Sequence, residues 1–201
     1  MFRRCLFTLV VLACALALAA PASALGYHVR VEGKTQTIFG ASEPRFVTSV
    51  ARVSALDALE AASLAGEFYY HLAVTSFGPY VDQVGRYAGA GTAGWAFKIN
   101  GASPPVGADQ VVLAEGDRLV WYWAQFGIAG GPETLHLAKT NARCYRVTAR
   151  DDRGTERAAT GATLRVDGRS YATQAGRACL AKHTGLVRAY RGGSIRSNAT
   201  R

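Results

Sequence analysis

Few folds can accommodate the order of signals between Gly94 and Gln125. Trp95, Phe97 and Ile99 alternate with smaller or polar residues, the pattern of a half-buried strand. Asn100-Gly101 follows at once, a dipeptide that accepts positive φ at both central positions of a tight hairpin turn. Pro104-Pro105 then keeps the next residues out of a central ladder. Val111 to Leu113 is a short apolar run, and Glu115-Gly116-Asp117 is a second tight turn. Leu119 to Ala124 is apolar at every position and rich in aromatics, as expected for a strand covered on both faces.

The residues before this stretch supply its partners. His28 to Val31 alternates into a first strand, and Thr35 to Phe39 continues or pairs with it. Ser54 can cap a helix whose Asp57 favours the positive end of the dipole. Leu56, Leu59 and Ser63 share one face of that helix, and Gly66 is expected to end it in a left-handed cap. Phe68 to Val74 and Tyr80 to Val84 read as further strands. A strand pair, one helix and then strands ending in the longest is the order of a β-grasp fold. The expectation is therefore an α+β domain with one helix across a mixed sheet.

The combination Gly-Trp-x-Phe-x-Ile-Asn-Gly, a proline loop, Val-Gly-Ala-Asp, Leu-x-Glu-Gly-Asp and a strand with Trp-x-Trp resembles the transcobalamin-like C-terminal domain family. This is a bacterial family of largely unknown function, related to the smaller domain of the cobalamin carriers transcobalamin and intrinsic factor. The resemblance runs from about Tyr27 to Gly127. It implies a binding module, with cobalamin or another small molecule with an apolar face as ligand. In the carriers this domain closes over the corrin as one half of a clamp whose other half, a helical barrel, has no counterpart here. Carried onto this sequence, the shared motif places the ligand against Trp95, Pro104, Pro105 and Tyr122. Alternation adds a physical reason: Trp121 and Trp123 share a face that excludes Tyr122, so at least one large ring points away from the helix-covered core.

Past Gly127 the character changes. A Gly-Ile-Ala-Gly-Gly-Pro linker leads into short strand patterns at Cys144–Ala149, Thr163–Val166, Ser170–Thr173, Ala178–Ala181 and Leu186–Tyr190, with a hairpin signal at Asp167-Gly168. These suggest a small all-β sandwich. Gly-Ala-Thr-Leu-Arg-Val-Asp-Gly resembles carboxypeptidase-regulatory-like or immunoglobulin-like accessory domains. Charge divides with it. Residues 25–131 carry 7 basic and 9 acidic side chains; residues 132–201 carry 14 and 5. The expected layout is a transcobalamin-like domain over 25–127, a linker over 128–134 and a basic sandwich over 135–201, each folding by itself. The basic excess offers attraction to an anionic envelope polymer. Nucleic acid is not expected, since no stacking motif of the known modules accompanies the arginines.

The first 24 residues read as a signal peptide. Arg3 and Arg4 precede an apolar run from Leu6 to Ala20, too short for a membrane span, and Ala22-Ser23-Ala24 fits a cleavage site. Val11-Leu12-Ala13-Cys14 loosely resembles a lipoprotein box. Export leaves Cys144 and Cys179 in an oxidising compartment, where they are expected to pair.

Signals for catalysis or metal are sparse. Gly89 to Gly94 matches G-x-G-x-x-G but opens a strand, whereas dinucleotide binding needs it to open a helix. The four histidines are scattered singly, and there is no G-x-S-x-G elbow. Asp151-Asp152 reads as a solvated turn, and the sequon Asn198-Ala199-Thr200 as chance at a frayed end. The resulting expectation is an exported, non-catalytic binding protein of the cell envelope without a metal. The alternative is a surface module that binds protein or polysaccharide and no small ligand.

Overall fold

A computed structural model describes residues 24–76, 78–125 and 131–201. The signal-peptide reading of residues 1–23, the linker residues 126–130 and the aromatics Phe77 and Phe126 lie outside them. Among the described residues no helix is long and apolar enough to cross a membrane.

The chain alternates strands with one helix. In order, β1 (Leu25–Glu32), β2 (Thr37–Phe39) and β3 (Arg45–Thr48) precede α1 (Ala55–Gly66). Next come β4 (Tyr70–Thr75), β5 (Gly78–Val84), β6 (Tyr87–Ala88), β7 (Ala93–Ile99) and β8 (Arg118–Gln125). The C-terminal half adds β9 (Glu133–Lys139), β10 (Cys144–Arg150), β11 (Glu156–Ala158), β12 (Thr163–Val166) and β13 (Arg169–Ala172). It ends with β14 (Arg177–Cys179), β15 (Val187–Tyr190), β16 (Ser194–Ile195) and β17 (Ala199–Thr200).

The α+β, β-grasp expectation is corrected by this layout. The protein is mostly β, with several sheets and a single 12-residue helix among the described residues. The three strands that directly follow the helix do not join the first sheet: β4, β5 and β6 pair with one another in a sheet of their own. The physical reason lies in β8. Apolar on both faces, it takes the central place, parallel to β1 on one side and antiparallel to β7 on the other. With β2 and β3 also on β1, the first sheet is complete without the hairpin that follows the helix.

Local signals were followed closely. Ser54 and Asp57 form a reciprocal capping box at the start of α1. Its C-terminus is closed differently from expectation, because Glu67 and not Gly66 takes the left-handed cap, with φ 52°. Gly66 is required for approach: a Cβ there would lie 2.4 Å from the Phe39 ring. Asn100 and Gly101 both have positive φ, and Ile99 and Ala102 exchange two hydrogen bonds of 2.9 Å across them.

Among the described residues three apolar clusters result. Tyr27, Val29, Val31, Leu59, Trp95, Leu119 and Trp121 belong to one beneath α1. The sheets of β9, β10, β11, β14 and β16, and of β12, β13, β15 and β17, share a second around Leu137, Tyr145, Val147 and Leu164. The third crosses between the halves: Val120, Tyr122 and Ala124 of β8 meet Ile195 of β16, with Ala96 packed beside them.

Cys144 and Cys179 are directly opposite in the β10–β14 register and are joined by a disulfide that closes a 35-residue separation. Replacing both by serine is expected to lower stability by about 3–4 kcal/mol, the loop-entropy scale for a closure of this size. Denaturant unfolding of the double variant checks this.

Candidate functional site

Period-two alternation splits the first sheet into two faces. Odd-numbered residues of β1 and β8 enter the core beneath α1, with Leu25 and Trp123 only partly buried at its margin; even-numbered ones face away from it. The second face carries Arg30, Glu32, Lys98, Val120 and Tyr122, and all five are buried. The C-terminal half covers them, so that face is an interior seam.

Glu32 is the hub of the seam. It is 3% exposed and accepts from three guanidiniums: Arg30 at 3.2 Å, Arg196 at 2.7 Å, and Arg188. Thr37 Oγ1 donates to it as well, at 3.1 Å. Arg30 and Glu32 come from β1, Arg188 and Arg196 from β15 and the β16–β17 connection, so the cluster joins the two halves. Arg188 is pushed below the usual guanidinium range, first by burial and then by Arg30 and Arg196, against which Glu32 acts. Lys98 forms a second link. Its ammonium is fully buried, pairs with Asp152, donates to the Pro132 carbonyl at 2.6 Å and lies 5.6 Å from the centre of the Tyr122 ring. Burial raises the Asp152 carboxyl, but Lys98 and the Gly131 N–H, both hydrogen-bonded to it, hold it below its ordinary value. Burial, and secondarily Asp152, pushes the Tyr122 phenol up to about 12, so it stays neutral. Backbone contacts complete the seam: Arg196 Nη2 donates to the Gly33 carbonyl at 2.7 Å and Ala199 N to the Ala41 carbonyl at 2.6 Å.

Two clefts open along this seam. The larger, about 580 Å³, lies at the Glu32–Tyr122 end. Tyr122, Trp123, Pro132 and Ile195 give it an apolar wall; Glu32, Lys34, Gln125, Glu133 and Arg196 give it a polar rim. The smaller, about 380 Å³, lies at the Arg118 end, where Arg30, Glu43, Arg118, Thr134, His136 and Arg150 line it. Among the described residues no histidine lines the larger cleft; they offer it an apolar face and hydrogen-bonding groups. Among the described residues there is no cluster of three His, Cys, Asp or Glu able to hold a metal ion.

Of the four residues proposed from the sequence, Tyr122 alone lines the larger cleft. Trp95 is 2% exposed on the helix side; its Nε1 donates to the Tyr87 carbonyl at 2.8 Å, and its ring meets Trp123 edge-on at 5.8 Å. Pro104 is half-buried and Pro105 exposed, in the connection between β7 and β8. The structure thus does not bring the four together. Sequence reasoning missed Glu32, Lys98, Arg188 and Arg196. It also read Asp152 as solvated, although Ser103 Oγ donates to it at 3.1 Å across the seam. Asn198 is no frayed sequon: it is buried, and its side-chain amide exchanges two 2.9 Å hydrogen bonds with the Leu137 backbone.

His136 supplies a pH test. The guanidinium of Arg118 can only donate, so at 2.9 Å the His136 Nε2 accepts and the ring is neutral with its proton on Nδ1. Burial lowers its pKa from the ordinary 6.5, and Arg118 and Arg150 lower it further, with Glu43 and Glu156 opposing. In the unfolded chain the ring binds its proton at higher pH than in the fold. Stability from this group is therefore full above about 6.5 and is lost as pH falls through the lower folded value. A proton-NMR titration is expected to place the His136 midpoint below 6.5; a midpoint above 6.5 would contradict the geometry.

Residues 53–125, a little over a third of the chain, match the model of a domain of unknown function, DUF4430. None of the curated proteins compared with the chain matches it. Two solved structures are similar to it. One, a proposed metal-binding protein of Ruminococcus gnavus ATCC 29149, is 17% identical over 50% of this chain and 97% of its own, with a TM-score of 0.39. The other, haptocorrin in complex with Cbi, is 17% identical over 53% of this chain, with a TM-score of 0.46. The matched part spans 26% of haptocorrin's length. At these values neither likeness establishes a shared fold.

Proposed function

We propose that this is an exported, non-catalytic binding protein of the cell envelope that holds a small molecule with an apolar face in the larger cleft. The observation that carries the reading is the cleft itself. Its volume lies within the roughly 300–1,000 Å³ usual for small-molecule sites, and it sets Tyr122, Trp123 and Ile195 beside a rim of charged and amide side chains. Cobalamin is the first ligand to try, since the sequence resemblance names it and a flat, partly apolar molecule suits an aromatic wall. The transcobalamin-like and linker boundaries at 25–127, 128–134 and 135–201 remain our proposed units, with the cleft formed where the outer two meet.

Purified mature chain should be scanned for a co-purifying chromophore and then titrated with cobalamin, reading tryptophan fluorescence. We expect saturable quenching, weakened at least about tenfold in Trp123→Ala, because a ligand-facing aromatic is a typical binding hot spot. Absence of any co-purifying molecule together with no quenching would sink the reading. One observation favours a second reading. Arg146 and Arg177 are cross-strand partners and both exposed, an unfavourable pairing unless an anionic partner offsets it. An acidic polysaccharide bound there would be released as salt rises.

A further inference from the structure

We propose that the smaller cleft, at the Arg118 end of the seam, binds a small oxyanion, a molecule presenting a carboxylate or phosphate group. Three guanidiniums line it, Arg30, Arg118 and Arg150, against one lining carboxylate, Glu43. Glu43 is already engaged, lying 3.2 Å from Arg30 Nε and 2.9 Å from Arg118 Nη1. Arg150 reaches Glu156 at 2.8 Å and the Asn100 carbonyl at 2.9 Å. Arg30 also pairs with Glu32, but Arg188 and Arg196 share that carboxylate, so across the connected cluster five guanidiniums face three carboxylates, Glu32, Glu43 and Glu156. Arg118 and Arg150 keep 44% and 39% of their side chains exposed, so an incoming anion can reach them.

One buried polar atom of the lining points to a ligand independently of the charge. Thr134 Oγ1 makes no hydrogen bond, although Thr134 is only 8% exposed. Buried donors are normally satisfied, and each one left bare costs about 1–3 kcal/mol. The neutral His136 adds an Nδ1–H for which there is no partner among the described residues. Donors therefore outnumber acceptors in this cleft, the reverse of a cation site. The planar forks of Arg118 and Arg150 suit two-oxygen recognition of carboxylate or phosphate. Gly101 keeps the wall close, since a Cβ there would sit 2.8 Å from Arg150.

The test uses the mature chain with inorganic phosphate and with citrate, each titrated at constant ionic strength. His136 ring resonances and thermal melting are the readouts. We expect a saturable His136 shift and a raised Tm with at least one of them; the tighter anion tells phosphate from carboxylate. Arg118→Gln with Arg150→Gln should weaken binding by about tenfold or more, since a charge-assisted hydrogen bond is commonly worth 1.5–3 kcal/mol. Thr134→Val, which keeps the shape and removes only the hydroxyl, covers the case in which the double variant does not fold, and should also weaken binding. Trp123→Ala should leave it unchanged, which separates this cleft from the larger one. No saturable shift with either anion overturns the proposal, as does undiminished binding in a folded Arg118→Gln/Arg150→Gln or Thr134→Val chain.

Discussion

Glu32→Ala is expected to lower stability by about 3–5 kcal/mol, the usual cost of removing one partner from a buried ionic cluster. The cost comes from what is left behind. Arg30, Arg188 and Arg196 would lose the carboxylate they share, while Arg30 stays 1% exposed and Arg188 9%. Burying like charges without a counter-ion is far more expensive than losing an exposed pair. The contrast is Glu156→Ala, which removes the partner of a 39% exposed Arg150 and should cost no more than about 1 kcal/mol. Denaturant midpoints of the two variants check the difference. A Glu32 loss no larger than that of Glu156 would mean that the seam is open to water. The cluster need not stabilise the fold relative to an apolar seam of the same shape.

Trp95→Ala is expected to cost about 3–5 kcal/mol, the range for truncating a large buried aromatic. The ring is 2% exposed, its N–H is hydrogen-bonded to Tyr87, and Trp123 packs against its edge. Ligand binding per folded molecule should not change, because Trp95 is absent from the wall of either cleft. Tyr122→Ala tests the opposite face. Tyr122 is 5% exposed and also lines the larger cleft, so it should lose both stability and binding. A Trp95→Ala chain that melts normally yet fails to bind would return that tryptophan to the ligand site.

Much of the local structure was legible because its signals are local. Alternation through Trp95, Phe97 and Ile99, the Asn100-Gly101 turn, the Ser54 cap and the Asp167-Gly168 turn each depend on a few neighbouring residues. The structure realises each of them. The double-sided coverage of Leu119 to Ala124 was legible too, but not what covers it. The sequence does not show that Asp152 and Pro132 reach Lys98 from 54 and 34 positions away. The parallel pairing of β1 with β8 is likewise non-local, and it displaced the β-grasp arrangement. In the C-terminal half, the expected strands begin only at Cys144 and the linker takes the first two residues of β9, although Leu135 and Leu137 alternate and both enter the core. The basic excess looked like a surface property; Arg188, Arg191 and Arg196 spend it inward on Glu32 and Glu133.

Because the seam forms both clefts, coupling between the halves is the property to measure. All three tryptophans precede residue 126, so their fluorescence reports the first half, whereas the disulfide lies wholly in the second. Urea unfolding followed at tryptophan fluorescence should be compared between the wild-type chain and Cys144→Ser/Cys179→Ser. The buried Glu32 and Lys98 links predict that the tryptophan midpoint falls along with the lost disulfide, in a single transition shared with circular dichroism. A tryptophan midpoint that stays where it was while circular dichroism shows the second half unfolding separately would contradict the seam.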